Sequence, residues 1–332
     1  MAELYPLLLL PEFHERPWGA RDLAPIYDKK AEGQPLGEAW LTGDACKVAN
    51  GPLRGRTLGE LAKEYGGALT GEVAPDAKRF PLLIKFLFPR EKLSVQVHPD
   101  DEGAKRIGQA CGKTECWYVL GAEKGAQVGL GLKPGTTKEE LRRAIAETRA
   151  ESLLNWIDLA AGDMIYVDAG TVHAIGPGSI LVETQQNSDT TYRLYDYGRP
   201  RQLHIEEGLA ATKEKTHAGK VRSRGETALL ISSPCFHIER RKLDRGDSWT
   251  PAGGRGESPT IVVALNGGAR LEARGHEPIT FARGEAVVVP ASVREFSVHP
   301  QWQAEFLTMG LPVGKVVHPE THIEDVKAVM RG

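Results

Sequence analysis

Apolar and polar residues alternate strictly over residues 92–98. In an extended chain Leu93, Val95 and Val97 then fall on one side, and Lys92, Ser94, Gln96 and His98 on the other. A half-buried strand ordinarily turns such a polar face to water. An amine, a hydroxyl, an amide and an imidazole in one row instead suggest a strand that looks into a cavity. There Gln96 and His98 can reach one metal ion. Residues 80–88 are almost wholly apolar and read as a buried strand. Lys85 interrupts them, either with a buried partner or as an edge residue whose amine snorkels to solvent. Residues 112–121 read as a further strand, with Lys113, Glu115 and Trp117 on one face and Thr114, Cys116 and Tyr118 on the other. Before these, residues 5–50 read as short strands and loops. A turn is expected at Arg16-Pro17-Trp18-Gly19, and a strand over 37–41 whose Glu38 and Trp40 could line a cavity but read rather as a wet face.

Helical patterns are few. Thr57 and Glu60 fit a capping box, opening a short helix that Gly66 and Gly67 stop after about Tyr65. Thr136 and Glu139 fit a second box, before a helix with Leu141, Ala144, Ile145 and Thr148 on its inner face. Residues 152–156 add a turn of helix, and residues 99–102 read as a simple turn. Beyond Gly162 the pattern is almost all strand. Two stretches there, 162–173 and 284–295, share one rhythm of glycine, strand and turn. In the second, Pro290 stands for Asp168, Ser292 for Gly170 and Glu295 for His173.

That rhythm resembles the second sequence motif of cupin barrels, and its recurrence implies an internal duplication in which only the first copy keeps its imidazole. The expected fold is mainly β: two cupin (jelly-roll) barrels, with a few helices inserted in or covering the first. The expected units are 1–232, carrying the metal ligands, and 233–332, a degenerate barrel without them, joined near Ser232-Ser233-Pro234-Cys235.

Composition narrows the function classes. The 332 residues include 37 glycines and 21 prolines, which suits many short strands joined by turns. The formal net charge is −2 with Lys and Arg dispersed, so no basic surface points to nucleic acid. The run Leu7-Leu8-Leu9-Leu10 is short, lacks a basic leader and is followed by Pro11 and Glu12, so it does not read as a signal peptide. No stretch approaches the ~18 apolar residues of a membrane span. Cys46, Cys111, Cys116 and Cys235 form no Cys-x-x-Cys pair and read as reduced thiols in a cytoplasmic protein.

Four candidate ligands come from three strands: Gln96, His98, Glu115 and His173. Nitrogen and oxygen donors without thiolate describe a catalytic rather than a structural zinc site, and Mn²⁺, Co²⁺ or Fe²⁺ would also suit it. Each residue has a plainer reading as well. His98 could contact an aspartate in the Pro-Asp-Asp turn, Lys113 and Glu115 could form an exposed ion pair, and Arg193 could sit on a surface hairpin around Asn187-Ser188-Asp189.

Taken together, Lys92-x-Ser94-x-Gln96-x-His98-Pro-Asp100, Gly112-Lys-Thr-Glu-Cys-Trp-Tyr118, His173-Ala174 and Ser188-Asp189-x-x-x-Arg193 resemble the type I mannose-6-phosphate isomerases over about residues 18–199. The resemblance implies one Zn²⁺ held by Gln96, His98, Glu115 and His173. It also implies Arg193 as the catalytic arginine and Glu183 ten residues before it, although the loop at 176–179 is a residue longer than in the larger relatives. The implied reaction interconverts mannose 6-phosphate and fructose 6-phosphate by moving a proton between C1 and C2 through an enediol(ate). Such chemistry needs charge stabilisation on two oxygens and a proton carrier. Glu183, Asp189 and Lys113 qualify as the carrier, and Lys92, Ser94 and Lys113 as phosphate anchors. The partner is thus a small sugar phosphate, with neither nucleic acid nor membrane. Two other readings remain at this point. One is a different metal-dependent cupin enzyme, such as an oxygenase, although the spacing from His98 to Glu115 is longer than oxygenase motifs use. The other is a non-catalytic sugar-phosphate-binding cupin.

Overall fold

Three antiparallel sheets carry most of the chain in a computed structural model that describes residues 3–221, 228–251, 256–314 and 318–323. The eight-stranded sheet has the order Glu12–Ala20, Leu36–Trp40, Leu82–Leu87, Ser179–Gln186, Glu115–Ala122, Met164–Val167, Gly219–Val221 and Thr321–His322. The five-stranded sheet runs Tyr192–Tyr195, Val95–Val97, His173–Ile175, Gln127–Leu132 and Leu154–Asp158. A seven-stranded sheet holds Leu7–Leu9 and most of the chain beyond Leu229. The expectation of a mainly β chain holds. Among the described residues no helix is long and apolar enough to cross a membrane.

The period of two in each strand explains the layers. Leu82, Ile84 and Phe86 point from the eight-stranded sheet toward Ile261, Val263, Val288 and Leu307 of the seven-stranded one, in one shared core. Leu87, Trp117, Val119, Ile165 and Leu181 point the other way and meet Val128, Leu130 and Ile175 of the five-stranded sheet. That sheet's outer face, with Val95, Val97 and Leu194, is covered by Leu141, Ala144 and Ile145 of the helix Lys138–Ala146 and by Leu209. Burying each large apolar side chain is worth roughly 1.5–3 kcal/mol. The space between the eight- and five-stranded sheets is thus apolar at one end and polar at the other.

Several local expectations change. Thr57 and Glu60 form the capping box as expected, but the second helix is capped by Thr137, whose hydroxyl accepts from Glu140 N. Thr136 is spent in the preceding turn, its N–H donating to Lys133 O. Residues 150–153 make one 3₁₀ turn, and Leu154–Asp158 is a strand rather than helix, because it pairs with Gln127–Leu132. Asp100 accepts from Gly103 N and starts a helix, Asp101–Arg106, where a simple turn was expected. Ile205–Ala211 is also helical, and its Gly208 lets Leu194 approach closely.

Each half lends a strand to the other's sheet. Leu7–Leu9 pairs with Ala286–Val289, and Thr321–His322 with Gly219–Val221. Gly219–Val221 belongs to the eight-stranded sheet and Leu229–Ser232 to the seven-stranded one, while residues 233–236 turn the hairpin of Leu229–Ser232 and His237–Leu243.

Candidate functional site

The polar end of the inter-sheet space is a cleft of about 390 Å³. Its five-stranded wall is set by register. Gln96 pairs with His173 on one side and with Arg193 on the other, and directly paired residues share a sheet face. The opposite wall comes from the eight-stranded sheet, where Glu183 pairs with Lys85 and Trp117, and Gln185 with Glu115. Ser179–Gln186 and Tyr192–Tyr195 lie in different sheets, so the segment is not a hairpin. Its turn crosses the cleft and sets Glu183 and Arg193 on opposing walls.

His98, Glu115 and His173, each about 1% exposed, bring one ligand atom apiece to within 4.8 Å of one another. Glu115 Oε1 lies 3.3 Å from His173 Nε2, and Glu115 Oε2 lies 3.6 Å from His98 Nε2. His98 Nδ1 faces Thr190 O and His173 Nδ1 faces Thr171 O, each at 2.9 Å. A carbonyl only accepts, so both Nδ1 atoms donate, and both Nε2 lone pairs are left for the shared space. Burial pushes both imidazoles down, His173 to about 4, and the Lys113 ammonium adds to the effect. Gln96 Nε2 lies 3.2 Å from His173 Nε2, and its Oε1 accepts from Ser94 Oγ at 3.0 Å. The amide can be turned over without losing the serine contact, which brings its oxygen to the histidines. Two neutral imidazoles aimed by carbonyls, a buried carboxylate and an amide oxygen fit a borderline divalent cation. Among the described residues this is the one such cluster.

Beside the cluster runs a ladder of alternating charge. Lys113 Nζ donates to Glu115 Oε2 at 2.5 Å and approaches His98 Nε2 at 3.0 Å. Glu183 Oε1 lies 3.9 Å from Lys113 and 3.3 Å from Lys85. Lys85 is 3.9 Å from Glu38, whose carboxylate accepts from both Arg16 (2.8 and 3.1 Å) and Trp40 Nε1 (2.6 Å). Burial alone would raise the Glu38 carboxyl, but Lys85 and Arg16 outweigh it and hold the group at about 2. Burial likewise works against the Lys113 charge, yet Glu115 and Glu183 keep its ammonium above the ordinary range.

The two open readings of Lys85 therefore resolve toward a buried, partnered amine, and Lys113 and Glu115 are buried rather than exposed. Glu38 is corrected: it is 8% exposed and lines the cleft instead of facing water. Ser94, Arg193 and the exposed Asp189 line the cleft too. Lys92 does not. The regular strand begins only at Val95, so the alternation breaks before it and Leu93 turns inward to the apolar core. Lys92 Nζ instead bonds Glu151 at 2.8 Å, between the rings of Trp156 and Tyr197. Arg193 is half-buried with Nη1 donating to Gln202 O, and burial and Arg201 lower its guanidinium. Arg16, Arg201 and His204, also in the cleft wall, carried no signal in the sequence pattern.

Comparison with known proteins agrees with this geometry. Residues 7–125 match the model for the phosphomannose isomerase type I catalytic domain. The chain is 34% identical over 316 residues to a Bacillus subtilis protein named as a probable mannose-6-phosphate isomerase, covering 89% of this chain and 96% of that one. It is also 34% identical to the mannose-6-phosphate isomerase of Streptococcus mutans, covering 89% and 95%. Among solved structures, the Bacillus subtilis mannose 6-phosphate isomerase superposes with a TM-score of 0.79 at 31% identity, over 92% of this chain and 99% of that one. The chain belongs to the type I mannose-6-phosphate isomerase family.

Proposed function

We propose that this protein interconverts D-mannose 6-phosphate and D-fructose 6-phosphate by proton transfer between C1 and C2 through an enediol(ate). The observation that carries the reading is the meeting of two carbonyl-aimed imidazoles, a buried carboxylate and a lysine–glutamate ladder in one cleft. Gln96, His98, Glu115 and His173 would hold the cation, with zinc the proposed metal, one per chain. When bound, that ion supplies Lewis acidity toward the substrate's carbonyl and hydroxyl oxygens.

The remaining roles fall to the chain's own groups. Arg193, always cationic, faces the ladder and stabilises negative charge developing on the substrate oxygens. Lys113 and Ser94 bind substrate oxygens from opposite walls, Lys113 also holding Glu115 in place. Glu183 and Asp189 are the carboxylates from which the proton carrier comes, and Glu183 has the better placement, since its buried Oε1 has no hydrogen-bond partner. Lys92, engaged with Glu151 outside the cleft, is not among the anchors. The chemistry is carried by the unit over 1–232, and the described residues of 233–332 contribute no ligand to it. The four cysteines are all free, which suits a cytoplasmic setting.

A coupled assay of mannose 6-phosphate turnover, with and without chelator, tests the reading. Metal-loaded protein should turn over, chelated protein should not, and added zinc should restore it. Absence of turnover in the metal-loaded chain defeats the proposal.

A further inference from the structure

Strand registers relate the two halves residue by residue. Gly162 and Gly284 open equivalent turns at φ 95° and 86°. Three places on, Ile165 pairs with Trp117, and Val287 with Val262. Trp117 in turn pairs with Glu183, and Val262 with Thr308; Glu183 pairs with Lys85, and Thr308 with Glu239. Glu115 pairs with Val167, and Thr260 with Val289. The walk closes consistently: Thr260 occupies the place of Glu115, Thr308 that of Glu183, and Glu239 that of Lys85. Glu295, in the place of His173, is exposed and ion-paired with Arg274 at 3.2 Å.

The counterparts have not been filled in with apolar side chains. Glu239, Thr260 and Thr308 line a second cleft of about 300 Å³, together with Arg241, Trp249 and Arg294. Phe281, Phe306 and Val298 fill the apolar end beneath it, as Trp117, Val119 and Leu181 do in the first half. Arg241 is ion-paired to Glu239 and lies over the Trp249 ring at 5.4 Å, yet its buried Nε has no hydrogen-bond partner. His237 Nε2 stands 3.5 Å from the other Glu239 oxygen. A carboxylate, a guanidinium with a free donor and a threonine hydroxyl, set side by side, match the alternating donors and acceptors of a vicinal diol. Among the described lining residues, Arg241 and Arg294 are matched in number by Glu239 and Glu257, so these side chains supply no surplus charge for a phosphate dianion.

We propose that this second cleft is a metal-independent binding site for a hexose, recognised through adjacent hydroxyls by Glu239, Arg241 and Thr308. The site rests on the duplicated register and not on the isomerase reading, so a chain without turnover could still display it.

Calorimetric titration of the full chain, after chelation, tests the proposal with three probes: mannose, mannitol 6-phosphate and inorganic phosphate. Mannose should bind once per chain without metal. Arg241→Gln should weaken that binding at least tenfold, and so should Thr308→Val, which is isosteric and keeps the fold. In the metal-loaded protein both variants should leave kcat/KM for isomerisation within twofold. The proposal is overturned if mannose does not bind the chelated chain, or binds both variants as it binds the parent. It is also overturned if only mannitol 6-phosphate binds and inorganic phosphate displaces it, for the cleft would then read a phosphate.

Discussion

Glu38→Gln removes one charge from the middle of the ladder and keeps the side chain's volume. Its carboxylate is held by Arg16, Trp40 and Lys85, and it is 8% exposed. Displacement from the ordinary 4.5 to about 2, at 1.36 kcal/mol per pH unit, corresponds to ~3 kcal/mol of stability. The folded chain binds this proton more weakly than the unfolded one. The stabilisation is therefore complete above about pH 4.5 and is lost as pH falls toward 2. Urea unfolding of the metal-free parent and variant should give a gap of ~3 kcal/mol at pH 7, narrowing to ~2 kcal/mol near pH 3.5. The buried histidines charge in both proteins as the pH falls, so their contribution cancels in the difference. A gap below about 1 kcal/mol at pH 7, or one that holds constant into acid, would refute the electrostatic account of the ladder.

Other expectations follow from the same geometry. Arg193→Ala should lower kcat by about 10²- to 10³-fold with little change in thermal midpoint, because the side chain lies in the cleft and outside the apolar cores; an unfolded variant would contradict this. His173→Ala should abolish stoichiometric zinc, read by atomic emission, and retention of one ion per chain would remove this residue from the ligand set. Burial holds His173 at about 4 and His98 well below its ordinary value, so both Nε2 lone pairs stay free at lower pH than in exposed histidines. Zinc content should therefore persist at pH 5.5, where exposed imidazoles are largely protonated, and loss near 6.5 would count against it. Lys92→Ala should change kcat/KM by no more than about threefold, since half-exposed ion pairs such as that with Glu151 contribute little; a hundredfold loss would return Lys92 to the substrate site.

What could be read from the chain depended on the range of the interaction concerned. Parity along a strand is local, so the faces of Gln96 and His98, and of Lys113, Glu115 and Trp117, were legible without coordinates. The strand's starting point was not. Whether alternation at Lys92 and Leu93 continues the pleat is decided by neighbouring strands, and it breaks there. Thr137 displaced Thr136 as a cap because a preceding turn claimed the latter, a competition between two local signals. The helix at 205–211 and the strand at 154–158 owe their form to packing partners, which override weak propensity. Glu38 was misread for a related reason. An acidic residue in a strand ordinarily faces water, and only the distant arrivals of Arg16 and Lys85 make its burial tolerable.

The ladder also bears on which ligand the first cleft accepts. Arg16 with Glu38, Lys85 with Glu183 and Lys113 with Glu115 are matched in pairs, so the buried wall carries no net charge of its own. A divalent cation on the histidines would leave that wall with two uncompensated positive charges in a poorly solvated space, while Arg193 opposite shares its side of the cleft with the Asp189 carboxylate. A dianionic phosphate ester with hydroxyls near the ion offsets that excess, whereas a neutral sugar does not. In the second cleft the same strand positions carry Thr260, Thr308 and Glu239. Two carboxylates have been lost there, one of them the counterpart of Glu115, His173 is replaced by the exposed Glu295, and among the described lining residues the arginines are matched by glutamates. One scaffold with two charge balances should thus divide its ligands by charge: phosphorylated sugar where the metal sits, uncharged sugar where it cannot.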